Sequence, residues 1–279
     1  MGIKNIREMG RKIYKNNPSI RPFVDFIRKK EPDTPRFSGW GMTSIHEFPW
    51  NDEYQGDVFR KASNDIKNKF DFVDNTTNVN KNRMDSLLWR HWNISYAARS
   101  ALEFADTTEY NFVECGVAEG ITSFFLLYEI DSCKKLIGKC FLHLYDSWAK
   151  MKEEHLTENE KESIGKYERL DLEKTKRNLS KFKIPIVFHQ GYIPDSFYYD
   201  SPKSPDSICY LHIDLNSSKP TLASLEFFHP KLVKGGIIVF DDYAHSGYED
   251  TKQVVDKFFS NKSGLLQKLA TGQAIYYQH

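Results

Sequence analysis

The chain has 279 residues, of which 40% are hydrophobic and 28% charged, with a net charge of +1. That composition supports a sizeable buried core and excludes wholesale disorder, and the balanced charge gives no general reason to expect nucleic acid. No apolar run approaches the roughly 18 residues of a membrane span, the start MGIKNIREMGRK has no apolar signal core, and four cysteines without C-x-x-C spacing read as reduced thiols, so a cytoplasmic protein without zinc is expected.

In chain order, residues 1–30 carry nine Lys/Arg against two Asp/Glu and read as two short basic helices. They form either a solvated face or a docking surface for an acidic partner. Residues 31–56 are rich in Pro, Gly and aromatics (Phe37, Trp40, Phe48, Trp50, Tyr54), which reads as an ordered irregular strap or lid; His46 within it reads as structural. Residues 57–70 and 80–105 follow as helices, the second with a stripe of Met84, Leu87, Leu88, Trp92, Ile94, Ala97 and Leu102 expected in the core. From 110 onward strands and helices alternate. Strands are expected at 110–115, at FLHLYD ending in Asp146, and at 184–191, 207–214 and 237–242. Helices are expected at 119–131, at 220–232 after Pro220-Thr221, and at 248–259. One or two exposed helices should occupy the polar stretch 149–182. The tail reads as a strand pair turning around Thr271-Gly272 that adds an antiparallel edge strand. The expected fold is α/β, a doubly wound, mostly parallel seven-stranded sheet, with residues 1–79 as an N-terminal extension and 80–279 as the main domain.

The stretch YNFVECGVAEGITS, 110–123, is a buried strand, a turn containing Gly116 and Gly120, and the start of a helix. Glycine at 116 lets the backbone swing and lets a ligand approach, while the helix-opening N–H groups favour an anion or carboxylate. The pattern departs from the dinucleotide fingerprint G-x-G-x-x-G, because Glu114 stands where the first glycine would be. An acid there repels a pyrophosphate and suits a cation, and the methionine part of S-adenosylmethionine (SAM), with its sulfonium and ammonium, fits.

Acids also end the other strands: Asp146, Asp214 and the pair Asp241-Asp242. Strand ends on one sheet edge converge on one crevice. If the strands ending in Asp214 and Asp241 are neighbours, they lie about 4.8 Å apart, and Asp214, Asp241 and Asp242 share one hard cation, magnesium or calcium. Asp146 suits the two ribose hydroxyls of an adenosine. Gln190-Gly191-Tyr192 line the adenine or form a plain loop.

These motifs carry a resemblance. The segments VECGVAEGITS (113–123), YDSW (145–148), GYIPDSF (191–197), HIDLNSSKPTLASLEFFHPKLVKGG (212–236) and IIVFDDYAHSGYEDTKQVVDKFF (237–259) resemble the SAM- and magnesium-dependent sugar O-methyltransferases typified by macrocin O-methyltransferase, with the mycinamicin and novobiocin enzymes as relatives. The resemblance covers about residues 80–279 and says little of 1–79. It implies a class I, Rossmann-like SAM-methyltransferase fold. It implies that Glu114, Gly116, Gly120, Thr122 and Ser123 hold the methionine part of SAM, and that Asp146 and Ser147, with Gln190, Gly191 and Tyr192, hold its nucleoside. Magnesium falls to Asp214, Asp241 and Asp242. The family's second acid, two residues beyond Asp214, is Asn216 here, and a family tyrosine falls on Ser218; both departures touch the acceptor pocket.

The reaction so implied is methyl transfer to a hydroxyl of a sugar-type acceptor, with Asp214 or His245 as the base. His212, two residues before Asp214 and on the same strand face, is either a partner of the site or packed. A catechol-type O-methyltransferase acting on a phenolic diol uses the same cofactor and metal, and a NAD-dependent oxidoreductase or a silent binding module are the other classes weighed. No nucleic acid and no membrane are expected as partners, and the association state, including a homo-oligomer, stays open.

Overall fold

The computed structural model describes residues 48–69, 87–133, 136 and 138–279. The two basic helices of 1–30, His46, Met84 and the boundary expected at 79/80 lie outside them. Residues from Pro49 to the end form one compact unit, so Pro49–Lys69 pack with the main body. Among the described residues no helix is long and apolar enough to cross a membrane.

The helices are α1 (Asp57–Lys69), α2 (Leu88–Phe104), α3 (Ile121–Ser132), α4 (Leu172–Leu179), α5 (Ser218–Phe228) and α6 (Glu249–Phe259), and the strands are β1 (Tyr110–Cys115), β2 (Cys140–Asp146), β3 (Ile186–Gln190), β4 (Ile208–Ile213), β5 (Leu232–Phe240), β6 (Leu265–Lys268) and β7 (Ala274–Tyr277). The strands form one seven-stranded sheet in the order β3-β2-β1-β4-β5-β7-β6. The first five run parallel, and β7 runs antiparallel to both of its neighbours. This is the class I SAM-methyltransferase, Rossmann-like architecture expected from the alternation of elements. The closing pair differs in one respect from expectation. The antiparallel strand is not at the edge, because β7, whose Ala274, Ile275 and Tyr276 are buried, takes the inner position and leaves the short, largely exposed β6 outside, its shortness limiting how far another chain can pair with that edge.

Both faces of the sheet are covered, as a parallel sheet requires. Phe112, Leu142, Leu144, Tyr210 and Val239 pack under α1, α2 and α3, while Val113, Tyr145, Leu211, Ile238 and Phe240 pack under α5 and α6. Because strand side chains alternate, this sorting also decides where the polar residues at the strand ends fall. Glu114, His212 and Asp241 share parity with Phe112, Tyr210 and Val239, and so lie on the α2–α3 face.

Two local expectations change. The helix after Pro220 ends at Phe228, a short turn follows, and β5 opens at Leu232 instead of Ile237. Gly235-Gly236 therefore lie inside the strand, at an irregularity where Ile208 and Tyr210 pair with Leu232 and Ile237. A side chain on Gly235 would stand 2.7 Å from the carbonyl carbon of Phe104, so this glycine admits the end of α2 against the strand. The polar stretch 149–182 holds one α-helix, α4, and short 3-10 turns at Glu153–His155 and Glu158–Ser163. It is tied down across the chain. Ser218 N and Ser217 Oγ donate to Glu160, at 2.8 and 3.0 Å, so an acid of this stretch sits against the positive N-terminus of α5.

Candidate active site

A cavity of about 700 Å³ opens at the carboxyl ends of the parallel strands, where open α/β sheets bind ligands. Of the residues expected in the site, Glu114, Gly116, Thr122, Asp146, Ser147, Gly191, Tyr192, Asp214, Asp241, Asp242 and His245 line it. Gly120, Ser123 and Gln190 are not among the lining residues. Gly120 starts α3 with φ +89°, and a side chain there would face Thr175 and Leu179 of α4; Ser123 is fully buried; Gln190 is exposed at the end of β3.

One lobe is built on the turn after β1. Glu114 is 1% exposed. Its Oε2 accepts from Ser123 Oγ at 2.5 Å, and its Oε1 lies 3.3 Å from His212 Nδ1. Gly116 has φ +85°, and the place a side chain would fill is taken by the Asp214 carbonyl, whose carbon would be 2.6 Å from a Cβ. The glycine therefore answers to the neighbouring strand end, where the sequence reading had it make room for a ligand. Asp214 N donates to Cys115 O at 2.8 Å and Gly116 N to Tyr145 O at 2.9 Å, locking the turn between β2 and β4. Asp146 is engaged as well: Oδ2 accepts from the N–H groups of Val117 and Ala118, at 2.7 and 2.9 Å, and Oδ1 from Trp148 at 2.7 Å. Burial raises its pKa, against which these N–H groups work. Its carboxylate thus shapes the glycine turn, a role no local sequence signal announces.

The other lobe is acidic. Asp241 and Asp242 are 5% and 8% exposed, and Asp214 stands beside them because β4 and β5 are neighbours. Asn216, with φ +53°, accommodates the left-handed turn that asparagine tolerates. Its N–H donates to Asp242 Oδ2 at 2.8 Å, and its side-chain carbonyl accepts from Tyr248 at 2.6 Å. Opposite these acids stands Arg90, from the first turn of α2. Its Nε donates to Asp241 Oδ1 and its Nη2 to Asp214 Oδ2, both at 2.5 Å. Gln273 Nε2 also donates to Asp241 Oδ1, at 3.0 Å.

The sequence reading did not include Arg90. It sits in a stripe that otherwise packs into the core, and its partners are 124 and 151 residues away. The mutual repulsion of the acid cluster is therefore met in part by a guanidinium. It is not met in full. Burial and then Asp241 push Asp214 up to about 6, and burial with Asp214 and Asp241 raises Asp242 well above the carboxylate range. Asp241 is lowered, the charges of Arg90 and His212 outweighing its burial. Three acids against one guanidinium leave room for a hard cation, so the donor chemistry fits a divalent ion. One ring nitrogen of His212 and one oxygen each of Asp214 and Asp241 lie within 4.8 Å of one another. His212 is fully buried, with no hydrogen-bond partner for Nε2 among the described residues. Burial lowers its pKa, but Glu114, Asp214 and Asp241 outweigh that and hold it above the ordinary value.

Met151, Lys152, His155, Tyr167 and Leu170 close the remaining wall. All come from the stretch expected to be exposed helix. Tyr167 has φ +67°, and its phenol pKa is raised by burial and then by Asp214 and Asp242. His245 lies on the rim and is exposed.

Comparison with known proteins agrees with this picture. Residues 113–243 match the family described as a methyltransferase domain. The O-methyltransferase NovP is similar in structure at 17% identity, covering 68% of this chain and 80% of NovP with a TM-score of 0.59. CalS11, a calicheamicin methyltransferase, is similar at 14% identity, covering 86% of this chain and 98% of CalS11 with a TM-score of 0.54. At these identities the likeness to NovP and CalS11 is one of fold. Comparison with curated proteins gives no match. Residues 113–243 therefore carry a methyltransferase domain, seated on the class I SAM-methyltransferase fold.

Proposed function

We propose that the protein transfers the methyl group of SAM to a hydroxyl oxygen of a sugar or glycosylated small molecule, with a divalent cation, magnesium by donor chemistry, at Asp214, Asp241 and Asp242. The observation that carries the reading is one cavity with two lobes, a buried carboxylate beside a helix N-terminus and a cluster of three acids. The motif resemblance to sugar O-methyltransferases gives the acceptor class, and the likeness to NovP, described as an O-methyltransferase, is consistent with oxygen as the atom methylated. Residues 80–279 are proposed as the methyltransferase domain and 1–79 as its extension.

SAM, when bound, supplies a methyl group activated on a sulfonium. Glu114 would hold its ammonium, and the N–H groups opening α3, with Thr122, would hold its carboxylate. Ser147, Gly191 and Tyr192 lie on the nucleoside side. The divalent ion, when bound, supplies Lewis acidity that lowers the pKa of an acceptor hydroxyl. Asp214 takes the hydroxyl proton, with His245 on the rim as the alternative acceptor. The wall from Met151 to Leu170 keeps water from the donor and holds the acceptor in line.

The test is transfer of labelled methyl to panels of glycosides, nucleotide sugars and phenolic diols, with and without chelator. Asp241→Asn should abolish transfer while S-adenosylhomocysteine binding, by calorimetry, stays within about threefold, because the lost interaction serves the transition state. Full activity in excess chelator would remove the ion from this account, and transfer confined to phenolic diols would replace the sugar acceptor.

A further inference from the structure

The basic residue set against the acid cluster has a consequence for how that cluster takes a metal. Arg90 occupies Asp214 Oδ2 and Asp241 Oδ1, one oxygen from each of two proposed ligands. Its backbone is held: Gln273 Nε2 donates to Arg90 O at 3.4 Å, and Gln273 Oε1 accepts from Asn93 Nδ2 at 3.0 Å and Thr271 Oγ1 at 2.9 Å. The side chain is 27% exposed and borders the same cavity as Tyr167, His245 and Thr271. The guanidinium therefore has an open volume to move into while its Cα stays in place.

We infer that Arg90 is an internal cation that competes with the divalent ion for Asp214 and Asp241, so that the ion binds only as the guanidinium withdraws into the cavity. The inference rests on the proposed metal site. Two positive charges cannot share these two oxygens at bonding distance without strong mutual repulsion, and a divalent ion of this kind takes carboxylate oxygens at about 2.0–2.6 Å. In the metal-free protein the guanidinium offsets charges that would otherwise drive the strand ends apart. On metal binding it is released beside the acceptor space. Arg90 is thus a positioning residue that sets metal affinity. Arginine suits the role because its planar fork reaches two carboxylates at once, which a lysine ammonium, a single point charge, does less well.

Mn2+ binding to cofactor-free protein, followed by calorimetry and by the paramagnetic resonance of free Mn2+, tests this without any turnover. Arg90→Met should bind Mn2+ roughly 5- to 150-fold more tightly than wild type, the usual range for coupling between two ligands, with Arg90→Lys between them. Millimolar methylguanidinium should weaken Mn2+ binding to Arg90→Ala competitively and leave wild type unchanged. Should the variants fail to fold, the wild-type protein decides: saturating Mg2+ should shift the Arg90 Nε–H resonance and speed its exchange with solvent. Equal Mn2+ affinity in wild type and Arg90→Met, or an Arg90 signal indifferent to Mg2+ that is independently seen to bind, overturns the competition and leaves the metal site standing. Absence of Mn2+ binding in wild type and variants alike overturns the metal site and this inference with it.

Discussion

Replacing Gly116 by alanine perturbs the point where the two lobes of the site are joined. The added Cβ would stand 2.6 Å from the Asp214 carbonyl carbon and closer still to its oxygen. Ordinary van der Waals contact is about 3.5–4.0 Å, so β1 or β4 must retreat by about 1 Å. Neither is free to do so. Asp214 N is bonded to Cys115 O and Gly116 N to Tyr145 O, and the Asp214 carboxylate is held by Arg90. Forcing a non-glycine residue into the left-handed region costs about 1–2 kcal/mol, and overpacking a tight contact adds typically 1–3 kcal/mol. The expected loss is about 2–5 kcal/mol, seen as a lower urea midpoint with an unchanged slope.

Gly120→Ala is the internal control. Its φ is also left-handed, at +89°, but a Cβ there meets only the side-chain tips of Leu179 and Thr175, at 3.3 Å. It should lose about 1–2 kcal/mol, the conformational part alone. The reasoning is refuted if the two variants are equally stable, for then the approach of Asp214 to the turn plays no part. Chain flexibility in the unfolded state cannot mimic the difference, since both substitutions change it alike.

Asp146→Ala leaves the N–H groups of Val117, Ala118 and Trp148 without their acceptor. Cofactor-free stability should fall by about 2–4 kcal/mol, whereas an acid serving only a ribose would leave that stability unchanged. His143 and His189, whose facing nitrogens are 3.1 Å apart, are both lowered to about 4 by burial. A folded pKa below the unfolded value of about 6.5 means that their contribution is complete above pH 6.5 and is lost as pH falls toward 4. The slope is at most about 1.4 kcal/mol per pH unit for each histidine. His189→Gln should therefore show a shallower decline in urea stability between pH 6.5 and 4.5 than wild type, and parallel curves would sink the assignment. Glu129, raised to about 7 by burial, works with the opposite sign: its contribution is complete below its unfolded value and lost as pH rises through 7. Glu129→Gln should flatten stability between pH 5 and 7.5 in the same assay, and an unchanged curve would contradict that.

The order of strands and helices from Tyr110 onward was legible in the sequence because its signals are local. Alternation, apolar runs, glycine turns and terminal acids repeat over a few neighbouring residues, and a two-residue pleat puts Glu114, His212 and Asp241 on one face once their strands are known. The end of β5 was legible in Asp241-Asp242, although its beginning was not, because Gly235-Gly236 signal a turn as readily as a close approach to Phe104.

What only the tertiary structure decided are pairings without a local signature. Arg90 meets Asp214 and Asp241 across 124 and 151 residues of chain. Asp146 turns to the backbone of 117–118, and residues 151–170 wall the cavity although their composition reads as solvated. Side-chain type and spacing report what a residue can do within its own element. Which charge it finally faces depends on how the sheet order brings distant elements together, and that is settled by the packing of the whole domain.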